Sequence, residues 1–267
     1  LPALQRTVTL SGAAANCQTW EAFLASGEAV SADEVARRAA ALTPDDTLDI
    51  LFTSGTTGNP KGVVTCHGQN IRTFETWSAT VGLQSSDNYL IINPFFHSFG
   101  YKAGWLAAII SGAHILPVLN FDLDTVLAQI ARDKISMIPG PPTIYQSLLA
   151  HPRRGEYDLS SLRLAVTGAA PVPVELVRQM REVLGFEVVV TAYGLTETCG
   201  VVSICRADDT AERISHTSGC AMAGTEIQCV DKAGHVVAAG VDGEIWVRGF
   251  NVMQQYFNNP EATEQAL

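Results

Sequence analysis

From residue 48 to about residue 215 the chain alternates short apolar runs with longer stretches whose apolar residues recur at helical spacing. The short runs LDILFTSG, NYLIINPFF, AHILPVL, ISMIPG, LRLAVTGAA and EVVVTAYG read as strands, several of them running into glycine. Between them HGQNIRTFETWSATVG, SFGYKAGWLAAIISG, DLDTVLAQIARDK, PPTIYQSLLA and VPVELVRQMREVLG read as helices. Their ends carry the matching chemistry: Gly82 stops the first, Asp122 caps the third, and proline opens the fourth. Strands separated by helices of this length predict βαβ units. The expected fold is therefore α/β, a doubly wound, mostly parallel sheet flanked by helices, with ligands outside the carboxyl ends of the strands.

The two ends of the chain depart from this rhythm. Residues 1–47 are an alanine-rich lead-in, in which Ser31 and Glu34 of SADEVARRAAAL have the spacing of a capping box before a short helix. Residues 216–267 are β-rich: TEIQCVD, VVAAG and VDGEIWVRG are short strands broken by turn residues and predict a hairpin layer against the α/β body of residues 48–215.

Composition narrows the function classes. With 47% hydrophobic and 16% charged residues among 267, the chain folds around its own core. A net charge of −10 argues against a nucleic-acid surface, although a local basic cradle could still hold phosphates. The most apolar stretch, GWLAAIISGA, is well short of the roughly 20 residues that cross a bilayer. Six cysteines without a C-x-x-C pair predict reduced, mostly buried thiols and give no sign of an oxidising compartment, as in a cytoplasmic protein. The six histidines lack metal-binding spacing. The chain opens on Leu1 rather than Met, so a piece of a longer protein is expected.

The densest chemistry is LFTSGTTGNPKGV, residues 51–63. Thr53, Ser54, Thr56 and Thr57 supply hydroxyls, Gly55 and Gly58 let backbone N–H groups approach an anion, and Lys61 adds a point charge. This is not the common P-loop, since Gly62 follows the lysine where that motif needs a hydroxyl for magnesium. Any metal ligand must come from elsewhere.

The string T-S-G-T-T-G-x-P-K-G resembles the phosphate loop of the adenylate-forming superfamily, which includes acyl-CoA synthetases, peptide-synthetase adenylation domains and luciferases. Four further segments resemble that superfamily's marks, in its order: PFFHSFG, VTGAAP, TAYGLTE, and GEIWVRGFNVMQQYFNNPEAT. PFFHSFGYKAG, PGPPTIYQSLL and TAYGLTE together look like an actinobacterial branch of fatty-acyl-CoA synthetases, some members of which activate acids from steroid-ring degradation.

The resemblance implies the core of a large N-terminal domain and an acid–CoA ligase that uses ATP, Mg2+ and coenzyme A. A carboxylate attacks the α-phosphorus of ATP, releasing pyrophosphate, and the thiol of coenzyme A then displaces AMP. It places the loop from Thr53 to Lys61 at the β- and γ-phosphates, Thr196 at the α-phosphate and Glu197 on magnesium. Adenine would lie against Tyr193, Gly194 and the small turn of Gly168, Ala169 and Ala170. His97 would sit between acyl pocket and adenylate, and Phe96, Phe99, Lys102, Thr143, Gly194, Gly200 and Val201 would shape the acyl pocket. For Lys102 two readings stand, a lysine snorkelling to solvent and one meeting a polar group of the substrate. That lysine, where amino-acid-selecting domains carry an aspartate, leans towards a plain carboxylic acid. Other readings are an adenylation domain feeding a carrier protein and a non-catalytic ATP-binding fragment. The ribose-binding aspartate, hinge and small mobile domain of the superfamily are expected beyond Leu267, so the chain by itself is expected not to make an acyl-CoA.

Overall fold

The computed structural model describes residues 4–53 and 58–267, and the chain divides into two compact units, Leu1–Thr43 and Pro44–Leu267. In the first unit β1 (Val8–Thr9) pairs in parallel with β2 (Gln18–Thr19), and α1 (Trp20–Ser26) and α2 (Ala32–Ala40) follow. Ser31 caps α2, its Oγ accepting the Glu34 N–H at 3.2 Å. The other half of the expected capping box is not made. The Glu34 carboxylate is taken by Arg37 and Arg38 at 2.7 to 2.8 Å, because arginines one turn on offer charge-assisted bonds that a backbone N–H cannot match. None of the described residues of this unit is buried.

The second unit holds β3 (Thr47–Phe52), β4 (Gly62–Cys66), α3 (His67–Val81), β5 (Asn88–Ile91), α4 (Ser98–Gly100), α5 (Ala107–Ser111), β6 (His114–Pro117), α6 (Leu123–Asp133) and β7 (Met137–Gly140). There follow α7 (Pro142–Ala150), β8 (Leu164–Thr167), α8 (Val174–Glu182), β9 (Val188–Tyr193), β10 (Ser203–Ile204), α9 (Ala211–His216) and β11 (Cys220–Ala221). The last elements are β12 (Thr225–Val230), β13 (Glu244–Gly249), β14 (Gln255–Tyr256) and α10 (Pro260–Ala266).

The main sheet has the order β11-β10-β9-β8-β7-β5-β6. Its five strands from β5 to β9 are parallel, and β10 and β11 add an antiparallel edge. Strand order reverses between β5 and β7, and such a reversal opens a crevice at the carboxyl ends. At the opposite ends one buried carboxylate ties three strands together: Asp87 accepts from Ser136 Oγ at 2.7 Å, from Gln84 N at 2.9 Å and from the Arg163 guanidinium. The core lies between sheet and helices, with Trp77, Tyr89, Leu127, Ile130, Tyr145 and Met180 almost wholly out of solvent.

Two expected elements are shorter or less regular than their sequence suggests. The strand NYLIINPFF ends at Ile91, since Pro94 has no N–H for a ladder and the chain instead turns, His97 N–H donating to Pro94 O at 3.1 Å. The helix after it is broken: Tyr101–Leu106 widens into a π-turn with a kink at Gly104 before α5 resumes. The β-rich end also spreads over three sheets. β11 extends the main sheet, β12 and β13 form their own hairpin, and β14 joins β4 in the small antiparallel sheet β14-β4-β3. Among the described residues no helix is long and apolar enough to cross a membrane.

All six cysteines are free, but only Cys66, Cys199 and Cys205 are buried; Cys17 is half-buried and Cys220 and Cys229 are exposed. The expectation of mostly buried thiols is thus met by half of them, the exposed pair lying on the edge strand β11 and in the two-stranded hairpin β12-β13. Burial pushes the Cys199 thiol up to about 11, so little thiolate exists at neutral pH. Under native conditions a thiol reagent should label Cys220 and Cys229 quickly and leave Cys199 intact, as read by mass mapping. Equal labelling of Cys199 would show that its surroundings open readily.

Candidate functional site

The Thr/Gly/Lys loop hangs between β3 and β4, and its base is pinned from both sides. Thr53 N–H donates to Lys61 O at 3.0 Å, and Lys61 N–H donates to Thr53 Oγ1 at 3.3 Å. Ser54, Gly55, Thr56 and Thr57 lie outside the described residues, while Gly58 is exposed. From this pinch the Lys61 ammonium reaches over the ring of Tyr256, 4.4 Å from its centroid.

Tyr256 Oη in turn donates to Glu197 Oε1 at 2.6 Å. Burial, and then the neighbouring Glu197 charge, push the Tyr256 phenol up, so it keeps the proton it donates. Loop, β14 and the turn after β9 therefore meet in one cluster: a cation, a phenol and a carboxylate. Glu197 sits in the tight helical turn Thr196–Thr198, closed by the Thr198 side chain, whose Oγ1 accepts the Leu195 N–H at 3.1 Å. The segment before β14 grips this turn. Met253 N–H donates to Glu197 O at 2.7 Å, and the fully buried Asn251 donates to Val201 O at 2.7 Å.

Could this cluster hold a divalent cation? Among the described residues no three His, Cys, Asp or Glu side chains gather into a cage. Glu197 offers one half-exposed carboxylate, and the residue before it is a threonine. Hard oxygen donors in this small number suit an ion such as magnesium, which keeps waters and takes most of its ligands from substrate phosphates.

Beside the cluster, a cavity of about 290 Å³ opens at the carboxyl ends of β8 and β9. One wall is backbone-rich, from Val166 to Ala169 and from Ala192 to Gly194 together with Gly200 and Val201. The other is aromatic, formed by Phe74 and Trp77 of α3 and by His97, Ser98, Phe99 and Ala103. The turn after β8 is strained, Ala169 having φ of 63°, in the left-handed region that disfavours a Cβ. The Thr167 hydroxyl is buried without a hydrogen-bond partner among the described residues. His97 Nδ1 accepts the Phe99 N–H at 3.1 Å, which puts the proton of a neutral imidazole on Nε2 and leaves that nitrogen a donor.

Of the residues expected from sequence, the cavity gathers His97, Phe99, Gly168, Ala169, Tyr193, Gly194, Gly200 and Val201. Thr53, Lys61, Thr196 and Glu197 belong to the adjacent loop and turn, and Ala170 is exposed next to the cavity turn. Three acyl-pocket residues are not in the lining. Phe96 is 82% exposed, because the turn at Pro94 swings it outward. Thr143 is exposed on α7, whose buried face is made by its neighbours Pro142 and Ile144. Lys102 neither snorkels nor lines the cavity. It is fully buried, with Nζ donating to Thr65 Oγ1 at 3.0 Å and lying 3.3 Å from Asp49 Oδ1. Its acceptors lie on β3 and β4.

The sequence pattern of the AMP-binding enzymes matches residues 3–257. The chain belongs to the AMP-binding enzyme family. Among AMP-binding relatives, a 3-[(3aS,4S,7aS)-7a-methyl-1,5-dioxo-octahydro-1H-inden-4-yl]propanoyl:CoA ligase of Mycobacterium tuberculosis is 48% identical over 267 residues, all of this chain and 50% of the relative. The ligase of the same name from Rhodococcus jostii is 48% identical over 92% of this chain and 45% of its own. The chain thus spans about half the length of these relatives. Among solved structures, the N-terminal domain of FACL13 from Mycobacterium tuberculosis superposes with a TM-score of 0.81 over 95% of this chain and 62% of that one, at 28% identity. The O-succinylbenzoate coenzyme A synthetase of Bacillus subtilis, solved with AMP, gives 0.74 over 85% and 45%, at 32% identity. The mixed sheet flanked by helices is accordingly the fold of this family's N-terminal domain.

The sequence reading missed Phe74, Trp77, Ser98, Thr167 and Tyr256. Phe74 and Trp77 recur three apart on a helix, a spacing shared by core faces and cavity walls. Thr167 immediately precedes Gly168 and could have been included with that turn. Tyr256 stands within the GEIWVRGFNVMQQYFNNPEAT segment, but nothing local gives its role, which depends on which strand β14 pairs with.

Proposed function

We propose that this chain supplies the nucleotide- and acyl-binding core of an enzyme that activates a carboxylic acid with ATP, forming an acyl-adenylate and pyrophosphate, and then transfers the acyl group to coenzyme A. The observation that carries this reading is the meeting of Lys61 and Glu197 around Tyr256, next to a cavity that runs from an aromatic wall to the Gly168–Gly194 backbone. Both reactants are anions, and one unit-charge pair at about 4 Å repels by roughly 4 kcal/mol at an effective dielectric of 20. The loop from Thr53 to Lys61 would meet the β- and γ-phosphates, Thr196 the α-phosphate, and Tyr193 with Gly194 and the Gly168–Ala170 turn the adenine. Nε2 of His97 would donate to the carboxylate or the adenylate at the junction. Glu197 would hold Mg2+, which when bound supplies charge to offset that of the phosphates.

For the acid we propose a compact ring system carrying a short carboxylate side chain. Support comes from the names of the two 48% identical ligases and from a cavity whose walls are Phe74, Trp77, Phe99 and Val201, with the Thr167 hydroxyl as one unpaired polar group.

Calorimetry with Mg-ATP and ATP–pyrophosphate exchange with a panel of acids test the proposal. Lys61→Ala and Glu197→Gln should each weaken Mg-ATP binding by about tenfold or more, the worth of one charge-assisted contact. Melting temperature should hardly move, because the amide that replaces the Glu197 carboxylate still offers an acceptor to Tyr256, and Lys61 is only half-buried. Unchanged Mg-ATP affinity in both variants would remove the nucleotide role of this cluster. Exchange with straight-chain acids but not with bicyclic keto acids would overturn the substrate class.

A further inference from the structure

Glu197 and Lys61 carry opposite charges on neighbouring elements, yet they form no ion pair; each contacts Tyr256 instead. Two such charges left free to close would neutralise each other. A site that must receive a polyanion and a cation together needs the two kept apart.

Several independent contacts hold Tyr256 where it can do this. β14 runs antiparallel to β4 with Tyr256 opposite Val63, two positions beyond Lys61, so the strand register delivers the ring to the loop's lysine. Phe257 N–H donates to Gly62 O at 2.6 Å and Gln254 N–H to Val64 O at 2.9 Å, locking that register on both sides. The Tyr256 N–H is itself taken by Thr263 Oγ1 at 2.9 Å. Three residues earlier the same segment holds the Glu197 backbone through Met253. Only 4% of Tyr256 is exposed, although both its partners are half-open to solvent. The hydroxyl fixes Glu197 Oε1 and the ring face carries the ammonium.

We propose that Tyr256 is a positioning residue of the nucleotide site, its hydroxyl orienting the Glu197 carboxylate for a divalent cation and its ring holding the Lys61 ammonium towards phosphate. The inference rests on the function proposed above and divides the two tasks between two parts of one side chain. The O–H serves the metal ligand and the π face serves the phosphate ligand.

That division is testable by binding alone. In Tyr256→Phe the Mg2+ concentration that half-saturates ATP binding should rise about tenfold, as for loss of a hydrogen bond to a charged group, while affinity for ATP in EDTA stays unchanged. In Tyr256→Leu the same rise should come with a loss of metal-free ATP affinity of about threefold, the range of an exposed cation–π contact. On a Glu197→Gln background, Tyr256→Phe should add nothing to the Mg2+ requirement. A Phe variant with unaltered Mg2+ dependence, or one whose effect persists in full on that background, overturns the proposal even if Leu fails to fold. Absence of ATP binding by the unsubstituted protein would instead bring down the nucleotide reading on which it rests.

Discussion

Lys102→Met is expected to destabilise the second unit by about 3–5 kcal/mol, the usual consequence of removing one partner of a buried ion pair. For a unit of this size that corresponds to a fall in Tm of about 10 °C. The ammonium sits in a closed polar knot: it donates to Thr65 Oγ1, which also accepts from Asn70 Nδ2 at 2.9 Å and donates to Asp49 Oδ1 at 2.8 Å. Asp49 Oδ2 is buried and already lacks a hydrogen-bond partner, so removing the lysine leaves a largely buried carboxylate with only the Thr65 hydroxyl on Oδ1 and no charge opposite it. The neighbouring Tyr101 phenol reports the same poorly solvated charge, being pushed up to about 12 by burial and then by Asp49. Replacing both partners, as in Lys102→Met with Asp49→Leu, should recover most of the loss, because an apolar pair needs no compensation. Thermal melts of the single and double variants decide the matter. A single variant that melts with the unsubstituted protein, or a double that is no better than the single, would show that the pair is not a buried one. The knot joins the π-turn to the strand entering the Thr/Gly/Lys loop, so on the proposed function its loss should also weaken ATP binding.

Gly194→Ala is expected to destabilise by about 2–3 kcal/mol, as overpacking against backbone does, and to reduce ATP affinity by at least tenfold. A Cβ at this position would stand 2.1 Å from Gly200 O and 2.4 Å from Gly200 C, where no rotamer change can relieve it. The Leu195–Gly200 turn folds back here, Gly200 N–H donating to Leu195 O at 2.8 Å and Val202 N–H to Tyr193 O at 2.7 Å. Prising it open moves the cavity wall at Tyr193 and the Glu197 carboxylate together. Gly155→Ala is the matched control, since a Cβ there meets nothing within 4 Å. If the two variants melt and bind ATP alike, the close approach at Gly194 is not what shapes this wall.

Local pattern was enough for the parallel part of the architecture, but not to show that LDILFTSG leaves that sheet and pairs antiparallel with β4. Each strand of the parallel sheet from β5 to β9 is an apolar run, and α3 and α6 carry the end chemistry expected of them: Asp122 Oδ1 accepts Thr125 N–H at 2.9 Å, and Gly82 stops α3 at φ of 76°. These signals survive in one dimension because capping and periodicity involve residues within a turn or two of each other. The Thr/Gly/Lys loop stood out for a similar reason, its hydroxyls, glycines and lysine being crowded into one short stretch.

What the helix period could not say is what an inward residue faces. Lys102 was visible as a lysine on an apolar helix, but its choice between solvent, substrate and ion pair was made by Asp49 and Thr65 on β3 and β4. Thr143 lies between the buried Pro142 and Ile144 and Phe96 beside the cavity-lining His97, yet the face of α7 and the turn at Pro94 put both outside. Tyr256 is the clearest case. Its bond to Glu197 spans 59 positions, and its contact with Lys61 exists only because β14 crosses back to pair with β4. Pairing between strands distant in sequence follows from the packing of the whole unit and leaves no periodic trace. The sequence therefore disclosed which chemistry was present, and the tertiary structure decided which groups meet.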